Sequence, residues 1–123
     1  MHWLAVALGG SIGAISRYGV SIVIPNVPGK FPIATFSVNL VGSLLMAMLF
    51  VLIVEKGALP AMWRHTLMIG FFGAFTTFST FSLESLHLLS DGHGKLAFTY
   101  MLSSVFACVF AAFSGYHLIH KLL

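Results

Sequence analysis

Residues 70–82 read GFFGAFTTFSTFS, a run with no charge. Phe75, Phe78 and Phe81 recur every three positions, among the hydroxyls of Thr76, Thr77, Ser79, Thr80 and Ser82. The chemistry such residues offer is ion binding; no sequence feature demands ATP or a catalytic centre. Aromatic ring edges are the positive side of the ring quadrupole. They can face a small anion without forming a tight charged trap. Gly70 and Gly73 weaken a helix, and hydroxyls compete with its backbone bonds. A helix interrupted here frees carbonyl oxygens, and a compact set of carbonyls suits a dehydrated alkali cation. Plain aromatic packing is the other use of such rings, but alternating rings and hydroxyls build a poor lipid-facing surface.

Other positions carry polar groups at helical spacing. Thr35, Asn39 and Ser43 fall one turn apart on one stripe. The Asn39 amide either ties helices together or lines a pathway and donates to an anion. Tyr100, Ser104 and Cys108 form a second stripe, read as a hydrogen-bonding track or as a packing face. Arg17 lies about two turns before Pro25. At a bilayer centre an arginine is unfavourable by about 2.5–3.5 kcal/mol. It either snorkels to the nearer interface or makes an electropositive vestibule. Glu84, one of three acidic residues, either sits at the headgroups or carries a proton. His117 and His120 are three apart, but no third ligand accompanies them, so a structural role is expected rather than a metal. Cys108 is the only cysteine, which excludes an internal disulfide and a cysteine metal cluster.

These residues must be positioned by a chain that bilayer, not water, dissolves. Of 123 residues 59% are hydrophobic and 7% charged, with mean hydropathy +1.00. A soluble domain carries about 25% charged residues. The net charge of +3 forms no basic run, so nucleic acid is not an expected partner. A spanning helix needs about 20 mostly apolar residues. Four stretches qualify, roughly 3–24, 33–54, 64–89 and 96–119. They are separated by PNVPGKFP, EKGALP and SDGHGK, whose prolines and glycines mark turns. The first stretch outruns a signal-peptide core and is read as retained. The expected architecture is a single all-α integral membrane domain over residues 1–123, with the third helix interrupted near its middle. In the first helix Gly9, Gly10, Gly13 and Ser16 make a small-residue face for close helix approach.

Charge does not decide orientation. Lys56, Arg64 and Lys121 fall on the side of the N-terminus, Lys30 and Lys95 on the other, with Arg17 toward that second side. Either untallied features fix one orientation, or the chain inserts both ways and two opposite copies pair as an antiparallel dimer. Four short helices wall a pathway poorly, which favours assembly.

Taken together, GGSIGAISRYG, FPIATFSVNLVGS and GFFGAFTTFSTFSLE, on a four-span chain of this length, resemble the small bacterial fluoride channels of the Fluc/CrcB family. The likeness covers nearly the whole chain and is weaker in the fourth helix. It implies an antiparallel, dual-topology homodimer in the bacterial inner membrane, with two pores at the dimer interface. Fluoride would leave the cell by passive electrodiffusion, which limits its toxicity. By the resemblance, Phe78 and Phe81 present ring edges to fluoride, Asn39 is the pore asparagine, and Thr77 and Thr80 line the route. Tyr100, Ser104 and Cys108 match a polar track in which serine is usual at the cysteine position. The backbone carbonyls of Gly73 and Thr76 match those that hold a structural Na+ on the dimer axis. Arg17 and Glu84 match the first-helix arginine and the acid after the phenylalanine motif, as vestibule or structural charges. Two rival readings are a proton-coupled small multidrug exporter and a non-transporting membrane assembly subunit. The exporter needs a deep acid, usually in the first helix, and none is there.

Overall fold

The computed structural model describes residues 1–123 as an all-helical chain without strands. Helix α1 covers His2–Val23 and ends where Pro25 begins the first loop. Helix α2 covers Ile33–Glu55, and its last residues, Phe50–Glu55, widen into π-helical turns. The third span covers Arg64–Ser90. It opens with helix α3, residues 64–75, which is π-helical over Arg64–Phe72 and α-helical over Gly73–Phe75. It closes with helix α4, Phe78–Ser90. Helix α5 covers Gly94–Leu122. Four helices, α1, α2, the third span and α5, are each long and apolar enough to cross a bilayer.

The loops end helices in the ways their residues dictate. Gly92 adopts φ 84°, a left-handed conformation open to glycine. It lets the N–H of His93 reach the Leu88 carbonyl and its own N–H reach that of Leu89, closing α4 with the paired bonds of a Schellman motif. Helix α5 extends past the expected 96–119 at both ends. Its 29 residues rise about 43 Å, more than a hydrocarbon core of about 30 Å, so its ends project.

Packing follows the small residues. Helix α1 lies along α3, and α2 along α5. Gly9 and Gly13 are buried, and a Cβ on either would collide with backbone, the carbonyl of Thr66 or of Phe71. From the other side, a Cβ on Gly70 would meet the Val6 carbonyl at 2.9 Å. The two backbones touch because neither carries a side chain there, the close approach that small residues permit in membranes. Gly115 of α5 does the same against the Leu44 carbonyl of α2. Phe81, Leu88, Ala97 and Tyr100 form a small core between α4 and α5. Only 20 of 123 residues are buried, so most of the apolar surface is left to lipid or to another chain.

Candidate functional site: a polar groove beside an extended step

Between α3 and α4 the helical dihedrals are lost for two residues. Thr76 has φ −83° and ψ 156°, and Thr77 has φ −151° and ψ 123°. Side chains take over the displaced backbone bonds. Asn39 of α2 grips both polar groups of Thr77: its Oδ1 accepts from the Thr77 N–H at 2.8 Å, and its Nδ2 donates to the Thr77 carbonyl at 2.9 Å. Thr77 then caps α4, its Oγ1 accepting from the Thr80 N–H at 3.2 Å. Arg17 of α1 donates through Nε to the Ala74 carbonyl at 3.0 Å. The Thr76 methyl rests on Gly42, where a Cβ would displace it.

Beside the step lies an open groove of about 360 Å³. Of the residues singled out in the sequence, Asn39, Ser43, Thr76, Thr77, Phe78, Phe81, Ser104 and Cys108 line it. Phe78 and Phe81 are 5.5 Å apart by ring centroids, yet differ in setting. Phe81 is 9% exposed and packs on Tyr100, whereas Phe78 is 78% exposed at the groove's open side. The Ser104 hydroxyl is buried with no protein partner. A buried hydroxyl without a partner is unfavourable, and a ligand or water in the groove would satisfy it.

Five candidates fall outside the groove: Tyr100, Thr80, Arg17, Glu84 and Gly73. Tyr100 is fully buried, and its hydroxyl donates to Glu84 Oε1 at 2.9 Å. Thr80 and Arg17 line a second cavity of about 300 Å³ with Tyr18, Ser21, Thr35 and Thr77. The hydroxyls of Thr77 and Thr80 bond each other at 3.1 Å, so this pair stands between the two cavities. Glu84 is buried rather than open to its surroundings, with Asn26 of the first loop donating to its other oxygen.

Several contacts lay beyond sequence reasoning. Asn26 sits between two prolines in a loop, with no local signal of a partner 58 residues away. At the other end of the molecule Glu55 accepts from Tyr116 at 3.1 Å and lies 2.7 Å from His120. His2 stacks on His65 at 4.0 Å. The capping role of Thr77 was not singled out in the sequence either, although threonine ahead of a helical run is a preferred N-cap and is the local signal for it. No cluster of three or more His, Cys, Asp or Glu side chains is placed to hold a metal.

Four bilayer-length helices and a groove with polar and aromatic walls define the class: a multi-pass membrane protein with an intramembrane polar site. Residues 4–116 match the family described as CrcB-like protein, Camphor Resistance (CrcB), and the chain belongs to that family. It is 52% identical over 121 residues to the fluoride-specific ion channel FluC of Saccharophagus degradans, covering 98% of this chain and 91% of that one. It is 49% identical over 111 residues to the protein of the same name from Magnetococcus marinus, covering 89% and 90%. For that of Hahella chejuensis the identity is 45% over 123 residues, covering 99% and 97%.

Proposed function

We infer that this protein is a fluoride-selective channel of the bacterial inner membrane, releasing cytoplasmic fluoride down its electrochemical gradient. One observation carries the reading: in a chain whose relatives are named fluoride-specific channels, the amide, hydroxyls and phenyl rings gather along one groove. A fluoride ion entering it exchanges water for the free Ser104 hydroxyl and the rims of Phe78 and Phe81. None of these binds a halide as tightly as a cationic side chain would, so the ion can leave as well as enter.

The groove is open on the side of Phe78, and one copy walls it incompletely. A second copy inserted in the opposite sense would close it, and the near balance of lysine and arginine supports such pairing. The two extended residues are read as the interruption of the third span. In a regular helix the Gly73 carbonyl would receive the Thr77 N–H, and the Thr76 carbonyl the Thr80 N–H. Both donors are turned to side-chain oxygens instead. Two carbonyls deprived of their donors suit a sodium ion, and Gly73 and Thr76 are the residues that would hold it. Bound there, sodium supplies positive charge that offsets the dehydration of fluoride.

No catalytic residue is assigned. The exporter reading is disfavoured because α1 carries no acid and the Glu84 carboxylate is held by Asn26 and Tyr100. Fluoride efflux from liposomes tests the proposal. Purified protein should release fluoride without a proton gradient and retain chloride. Dependence on a pH gradient with transport of organic cations would favour an exporter, and no flux at all an assembly subunit.

A further inference from the structure

Asn39 sits on the wall of the groove, which invites the view that its amide serves the anion. Its bonds point elsewhere. The Asn39 Oδ1 takes the N–H that the Gly73 carbonyl would otherwise receive, and Thr77 Oγ1 takes the one due to Thr76. Arg17 meanwhile occupies the Ala74 carbonyl between them. We propose that Asn39 and Thr77 are positioning residues for the cation: their side-chain oxygens withdraw two backbone donors and so leave the Gly73 and Thr76 carbonyls free to coordinate sodium. This rests on the sodium seat put forward above and adds what creates it. The asparagine on the anion's side of the step then controls the cation's side.

The geometry makes the two side chains separable. Leucine at 39 keeps the γ-branched outline of asparagine, though it is larger, and has no acceptor, so the Thr77 N–H is drawn back toward Gly73. Alanine at 77 removes the cap and releases the Thr80 N–H toward Thr76, whereas serine at 77 keeps the hydroxyl. Loss of a bond of this kind inside a membrane corresponds to about a tenfold change in an equilibrium constant.

The test is thermal unfolding of the purified full-length protein, titrated with sodium chloride against N-methylglucamine chloride at constant ionic strength. The parent should unfold at higher temperature as sodium rises, which is the mass-action signature of an ion bound to the folded state. Asn39→Leu and Thr77→Ala should each raise the sodium midpoint about tenfold or more, and Thr77→Ser should stay near the parent. Parent-like midpoints in Asn39→Leu or in Thr77→Ala would overturn the inference while leaving the sodium seat intact. Should Asn39→Leu yield no folded protein, the Thr77→Ala and Thr77→Ser pair decides, because only the hydroxyl separates them. A parent that ignores sodium would overturn the seat itself and the inference with it.

Discussion

Two of the contacts that hold the third span to its neighbours are built on opposite chemistry. Along α1 the contact is made by removing side chains, so that Gly9, Gly13 and Gly70 bring backbone against backbone. At the step the contact is made by adding them, since Asn39, Thr77 and Arg17 each replace a backbone partner. The difference shows where the third span keeps its backbone bonded to its own backbone and where it departs from that. Glycine packing needs intact helices, because only then are all backbone groups satisfied without water. An extended step is tolerable only where side chains restore the lost bonds. The first contact is a structural seam; the second also exposes polar groups to a groove.

The comparison breaks first at the seam. Gly13→Val inserts branched carbons into the Phe71 backbone, which cannot yield as a flexible side chain would. Overpacking typically costs about 1–3 kcal/mol, and backbone against backbone lies at the upper end. The expected outcome is little folded protein on size-exclusion chromatography in detergent. A well-folded Gly13→Val variant would show that the seam is looser than its geometry.

The phenylalanines test the other side. Phe81→Ile and Phe78→Ile should each slow liposome fluoride efflux about tenfold, as loss of about 1.4 kcal/mol of stabilisation would. Their stabilities should part company. Phe81 is buried against Tyr100 at 5.0 Å, so its variant also loses about 0.5–1.5 kcal/mol of aromatic pairing. Phe78, mostly exposed, should leave the unfolding temperature of the isolated chain nearly unmoved. Efflux at the parental rate from both variants would remove the rings from the pathway.

Smaller effects sharpen the contrast between polar bonds inside and at the ends. Glu55 and His120 meet where both side chains are about one-third exposed. Glu55→Gln should therefore lower stability by no more than about 1 kcal/mol in thermal unfolding. A larger loss would make that end of the molecule as demanding as the step. Cys108→Ser should be the mildest change. Cys108 lines the groove beside Ser43, and a hydroxyl there keeps the size and improves the donor. A folded but non-conducting Cys108→Ser variant would take position 108 out of the route.

The fold was legible because its signals are local. Apolar runs of spanning length, prolines in the first loop and glycines in the third mark the helices within a residue or two, except at the ends of α5. The glycine face of α1 was readable from spacing alone, since residues three and four apart share a helix face. For the candidate site, spacing named residues and packing decided which of them line the groove. The sequence placed Tyr100 in line with Ser104 and Cys108, and helical geometry does put them on one face. Burial then separates them, because Tyr100 is turned to Glu84 while the other two reach the groove.

By itself, then, the sequence determined that this chain belongs in a bilayer and how many times it can cross, and it named candidate residues to meet an ion. Only the tertiary structure decided what each polar group bonds. Asn39 and Thr77 are 38 residues apart, Asn26 and Glu84 58 apart. Periodicity sets the face of a helix on which a side chain lies. A hydrogen bond needs its partner within about 3 Å, and only packing of the helices brings two faces that close.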